Sequence, residues 1–133
     1  MSIYDVLHAI KKFVDECENL IRDGKLAVSL EDVNVALRFV EQAKSISIQI
    51  KPILEDTKQS LDAYKNEDAL FKYISAYYRT AVLVSVPYVV MILKNVAGVL
   101  EKNGYLEKAK EARNVAENIE VIVNTLRSRR ERQ

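Results

Sequence analysis

Hydrophobic positions recur every three or four residues along almost the whole chain. The first run is Ile3, Val6, Leu7, Ile10, Phe13, Val14, Cys17, Leu20 and Ile21, the one-faced pattern of an amphipathic helix packed in a bundle. Ser2, with Asp5 three residues later, forms an approximate capping box at its start. Asp23-Gly24 predicts its end, because glycine suits the left-handed position that follows a helix. A second helix is expected from Ser29, with Asp32 at the capping-box position. Its core face reads Leu30, Val33, Leu37, Val40, Ile46, Ile50, Ile53, Leu54, Leu61 and Tyr64, widened by Val35 and Phe39. Pro52 interrupts this pattern, which resumes at once, so a kink is expected rather than a split.

Asn66-Glu67-Asp68 predicts the start of a central helix: asparagine caps free N–H groups and the two acids favour the positive end of the helix dipole. Asn103-Gly104 predicts its stop after about Lys102. Within it, Thr80–Leu93 is a run of fourteen uncharged residues between Arg79 and Lys94. At ~1.5 Å per residue that run covers ~21 Å, short of the ~30 Å hydrocarbon core of a bilayer, so no membrane span is expected. Val82, Val84 and Val86 alternate as in a strand. The flanks decide for helix, since Leu70, Tyr73, Ile74, Tyr77, Ala81, Val84, Tyr88, Met91, Asn95, Val96 and Val99 keep helical spacing. A kink is expected near Pro87, which lacks an N–H and crowds the carbonyl of Leu83. Val82, Val86, Val89 and Leu93 form a second apolar face and are the candidate oligomer interface. The last helix carries Leu106, Ala109, Ala112, Ala116, Ile119, Ile122, Val123 and Leu126 on one face and charged residues on the other.

These elements predict an all-α fold: an antiparallel up-down bundle of about four helices, two of them long and Pro-kinked, because short connections join antiparallel neighbours. Helix 1 looks ~20 residues long and the two long helices ~35, leaving ~20 Å of the long pair uncovered. Exposed apolar surface of that kind marks an interface. With 133 residues, the bundle is one domain over 1–126, followed by a basic tail over 127–133.

Composition adds little until its distribution is considered. The chain is 49% hydrophobic and 29% charged with a net charge of +1, as for a soluble globular protein. The tail, however, holds Arg127, Arg129, Arg130 and Arg132 against Glu131 alone, leaving the rest slightly acidic. These arginines, with Lys72 and Arg79 beside Tyr78, are the candidate contacts for phosphate or an acidic partner. Tyr73 and Tyr77 are expected in the core. No basic start followed by an apolar segment marks a signal peptide, and a cytoplasmic location is expected.

Candidate chemistry is sparse. There is one His, one Cys and no Trp. His8-Ala9-Ile10-Lys11-Lys12 resembles the exposed-histidine segment of phosphotransfer bundles, yet Lys12 stands where those domains carry glycine, so His8 is read as a solvated surface residue. Cys17 falls on the core face, where cysteine acts as a small apolar residue. One histidine cannot supply the paired Glu-x-x-His motifs of helical di-iron sites, and no metal or other cofactor is expected. The carboxylate pairs Glu31/Asp32, Glu55/Asp56 and Glu67/Asp68 are adjacent residues, which diverge by ~100° on a helix. The expected function is a non-enzymatic interaction or assembly protein that self-associates through the apolar central helix. Its partner is a second copy, forming a homodimer, or another protein. The alternative is a nucleic-acid-associated accessory subunit using the arginine-rich C-terminus. A third, lesser reading places a ligand pocket near Pro87, Tyr88 and Pro52.

Overall fold

The computed structural model describes the backbone of residues 2–64 and 69–131 and the side chains of 2–64 and 69–127. Among the described residues every regular element is helical: α1 (Ile3–Leu30), α2 (Val33–Ala63), α3 (Ala69–Thr80), α4 (Val86–Lys102) and α5 (Leu106–Glu131). A π-helical turn, Ala81–Ser85, joins α3 to α4, so the two continue as one helix, Ala69–Lys102. The predicted start at Asn66–Asp68 lies outside the described residues.

α1 begins as its sequence predicts. The Ser2 hydroxyl accepts from the Asp5 N–H and the Asp5 carboxylate accepts from the Ser2 N–H, both at 3.2 Å, a reciprocal capping box. Its end differs from expectation. Gly24 does not terminate the helix; it is buried within it. A Cβ added there would stand 2.3 Å from Ile92 Cγ2 and 2.6 Å from Phe39 Cε2, so glycine leaves the room that these side chains of α4 and α2 occupy. The helix continues to Leu30 and stops through Glu31, which takes the left-handed conformation at φ 49°. The Asp32 N–H donates to the Ala27 carbonyl and the Glu31 N–H to the Val28 carbonyl, the paired bonds of a Schellman stop. Ser29 therefore lies in α1, and Leu30 is exposed rather than core. Asp32 itself caps α2, its carboxylate accepting from the Val35 N–H at 3.1 Å. With 28 residues in α1 and 31 in α2, the expected shortfall of helix 1 is largely absent.

α2 runs through Pro52 without a break. Ile48 and Pro52 both lie on its exposed side, so the carbonyl that loses its N–H partner stays in water. At the far end of the central helix, Gly104 adopts φ 86°. The Tyr105 N–H donates to Leu100 at 2.8 Å and the Gly104 N–H to Glu101 at 3.1 Å, a second Schellman stop and the one Asn103-Gly104 predicts.

The buried face of the central helix broadens from the π turn onward. Before it, Ile74 and Tyr78 are buried; within it, Ala81, Val82 and Ser85; after it, Val86, Val89, Val90, Ile92, Leu93, Val96 and Leu100. A π turn accommodates one residue more than an α turn, and each residue is worth ~100° of rotation. Carried forward at 3.6 from Ile74, Tyr78 and Ala81, the repeat leads to Ser85, Tyr88, Ile92 and Val96, which are buried or half-buried, while Val84, Met91 and Asn95 fall on the exposed side with Tyr73. The Val86 N–H reaches back five residues to Ala81, and Pro87 follows in the first turn of α4, where its missing N–H is tolerated.

The core is a single cluster drawn from all helices. α1 packs on α2 and on the central helix, and α5 packs on α4 and α2. Ion pairs stitch the outside: Lys102–Glu31 at 2.9 Å, Arg113–Glu101 at 2.5 Å and Lys94–Glu120 at 2.5 Å. Across α2 and α5, Lys44 and Lys108 bracket Glu41 and Glu111. The Lys44 ammonium donates to Glu111, which holds that carboxyl below its ordinary range and raises Lys44 in turn.

Candidate interaction surface

The predicted interface residues are inside the chain. Val82, Val86, Val89 and Leu93 are 3%, 1%, 1% and 0% exposed, covered by the chain's own helices. This corrects the expectation of a free second face: those four belong to the broad buried face of the π turn and α4. The surface left outside belongs to the same helix. Tyr73, Leu83, Val84 and Met91 are 60%, 48%, 58% and 49% exposed, and Ala76, Thr80, Asn95 and Gly98 are exposed between and beyond them. Their spacing of three and four residues makes one continuous outward stripe.

The aromatic assignments reverse as well. Tyr78 is buried, Tyr77 half-buried and Tyr73 exposed, so the ring available beside the exposed Lys72 and Arg79 is Tyr73. Lys94, the next cation along the helix, is exposed and paired with Glu120 of α5. Between Ala69 and Leu100 there is no Asp or Glu, so the central helix borders its apolar stripe with positive charge alone.

A cleft of about 320 Å³ opens where α4 meets α5. Pro87, Val90, Met91 and Val123 give it an apolar floor; the Lys94–Glu120 pair and Arg127 stand at its rim, with Asn124. Pro87 and Met91 join this cleft to the outward stripe. Pro52 is not part of it: the surface beside Lys51 is a smaller hollow between α2 and α5. Tyr88 faces α1, with the Lys25 ammonium 4.8 Å from its ring centroid, a cation–π contact.

α5 stays helical to Glu131 although its last described core side chain is Leu126. Arg127 is exposed. Arg129 and Arg130 are on this helical extension with side chains outside the described set, and Arg132 lies outside the described residues. No described contact joins Lys72 or Arg79 to Arg127. Arg79 is eight residues before Pro87, roughly 12 Å along the axis.

Among the described residues catalytic groups do not converge. His8 is exposed on α1. Cys17 is buried; desolvation, reinforced by Glu16 and Glu18, pushes its thiol up to about 12, the opposite of an activated nucleophile. Among the described residues no three His, Cys, Asp or Glu side chains gather as a metal site. By length and composition Ala69–Lys102 is long and apolar enough to cross a membrane, which the fourteen-residue count missed. Its most apolar window is 56% buried against the other helices, as in the core helix of a bundle.

No protein-family model, curated protein or solved structure matches this chain.

Proposed function

We propose that the protein is a non-enzymatic interaction or assembly subunit whose contact surface is the outward stripe of its central helix. The observation that carries this reading is the exposure of Leu83, Val84 and Met91 on the side of the central helix turned away from the core. A contiguous apolar stripe of this kind is where a soluble protein meets another chain. The bundle behind it is read as up-down and antiparallel between consecutive helices, with the two long helices bending at Pro52 and Pro87. Support comes from Arg113 and Glu120 of α5 meeting Glu101 and Lys94 of α4 in reversed order, and from the short turns at 31–32 and 103–105. Such a frame holds the stripe rigid, so little ordering entropy is lost on docking.

The test is site-specific photo-crosslinking in cells, with a photoreactive residue at position 84 and, as control, at the exposed position 38 on α2. Adducts from position 84 and none from position 38, whether to a second copy or to another protein, are the expected result. Position 84 yielding no adduct, or no more than position 38, would overturn the proposal.

A second reading is favoured by one observation: α5 remains helical past its last buried side chain, which presents Arg127 on ordered backbone. In that reading the arginines contact nucleic-acid phosphates. Binding of oligonucleotides would then weaken steeply with salt and be lost on removing residues 127–133.

A further inference from the structure

We infer that the occupant of the outward stripe and the adjoining α4–α5 cleft is an acidic amphipathic helix contributed by another protein. This rests on the reading of the stripe as the contact surface and names the chemistry of its partner.

Three observations carry it. The first is charge. The stripe is bordered along its own helix by Lys72 and Arg79, and by Lys94 in its pair with Glu120 at the cleft rim, with no acid of the helix itself between Ala69 and Leu100. Across the cleft Arg127 is exposed, and Arg129 and Arg130 follow it on the same helix. The pairings of Lys94 with Glu120 and Glu101 with Arg113, extended along both helices, bring Arg129 and Arg130 level with the π turn. A partner with acidic flanks is attracted along the whole length. A second copy docking through the same face in a two-fold arrangement would set these cations against their equivalents, and like charges facing each other disfavour that pairing.

The second observation is shape. The cleft is concave, about 320 Å³, with an apolar floor of Pro87, Val90, Met91 and Val123. It takes one large apolar side chain, whereas a flat lipid surface would leave it unfilled. The third is length and period. From Tyr73 to Met91 the exposed side extends ~27 Å, with Ala76 and Thr80 between Tyr73 and Leu83 and Pro87 between Val84 and Met91. That matches the i, i+3, i+4, i+7 anchors of a helix laid in a groove. Met91, unbranched and adaptable, forms the lip between stripe and cleft.

The experiment selects a phage-displayed library of helical peptides on the full chain. The best peptide is then measured by fluorescence anisotropy against wild type, Leu83→Glu, Met91→Glu and Arg127→Glu. All three positions are exposed, and circular dichroism confirms that each variant stays folded. Enriched sequences are expected to be acidic and amphipathic. Their binding is expected to weaken with salt and to fall at least tenfold in each variant. Enrichment of basic or neutral peptides, binding indifferent to the three substitutions, or no enrichment overturns the inference. So does sedimentation of the wild type with phosphatidylglycerol vesicles that is lost in Met91→Glu, since lipid would then be the occupant. Crosslinks from position 84 that lead only to a second copy would overturn the acidic partner while leaving the contact surface standing. Absence of such crosslinks removes both.

Discussion

Replacing Gly24 with alanine tests the packing of α1 against α2 and α4. Two effects compete. Alanine is a better helix former than glycine by ~0.8–1.0 kcal/mol, so in an α1 free of close neighbours Gly24→Ala stabilises. In this structure the new methyl would stand 2.3 Å from Ile92 Cγ2, 2.6 Å from Phe39 Cε2 and 3.0 Å from Phe39 Cδ2. Both neighbours belong to the buried core, so neither can swing into solvent, and relief requires α1 to move away from α2 and α4 together. Overpacking costs ~1–3 kcal/mol and occasionally more. With two clashes well inside contact distance the upper end applies, and the net effect is a loss of about 1–2 kcal/mol. For a chain of this size that is a drop in Tm of roughly 3–10 °C, measured by thermal and urea unfolding. A helix that merely ended at Gly24 would also lose stability on this change, through strain at a left-handed position. Ile92→Ala separates the two explanations. If the clash is the cause, Gly24→Ala costs less in the Ile92→Ala background than in the wild type, a coupling of about 1 kcal/mol or more. Simple additivity, or a Gly24→Ala protein as stable as the wild type, would refute the packing argument.

Further outcomes follow from individual sites. Glu31→Gly relieves a left-handed residue, worth ~1–2 kcal/mol, and removes an exposed ion pair with Lys102 worth at most ~1 kcal/mol; Tm should rise by a few degrees, and a fall would contradict the αL assignment at Glu31. The Cys17 thiol, raised from 9.0 to about 12 by burial, is protonated in the fold where the unfolded chain already ionises. Its contribution is complete below pH 9 and is lost as pH climbs towards 12. Cys17→Ala should therefore show a shallower alkaline decline than wild type, and native Cys17 should resist alkylation until the chain unfolds. The Glu111 carboxyl, lowered by the Lys44 hydrogen bond, contributes stability above its unfolded value, and this is lost as pH falls through the folded one. Glu111→Gln should be slightly less stable at neutral pH and flatter in acid; an unchanged acid limb would show that the α2–α5 ion network carries no stability.

Local signals with one physical meaning were legible in the sequence. Ser2–Asp5 reads as a capping box and is one; Asn103-Gly104 reads as a stop and closes a Schellman turn. Signals with two meanings misled. Glycine serves both left-handed turns and close backbone approach, and Gly24 is the second kind; what it packs against, Ile92, lies 68 positions away in the chain. The real turn uses Glu31, a residue type that seldom takes positive φ, so nothing local announces it. The candidate site failed because an apolar run gives no local sign of which side meets the other helices. Extending one 3.6 repeat through Thr80–Leu93 assigns Val84 and Met91 to the core stripe and frees Val82, Val86, Val89 and Leu93. In the structure the two sets are exchanged, and Tyr73, ahead of the π turn, is already exposed.

That exchange is the centre of the account, since it decides which side chains meet solvent and partners. Val84→Glu and Val86→Glu, compared by thermal unfolding, test it most directly. Val86 is 1% exposed and Val84 58%. A carboxylate at a buried, unpaired site is costly, whereas a surface change stays within about 0.5 kcal/mol. The account predicts that Val84→Glu unfolds with the midpoint of the wild type and that Val86→Glu is severely destabilised or unfolded. A folded, stable Val86→Glu beside a collapsed Val84→Glu would contradict the register and the contact surface built on it.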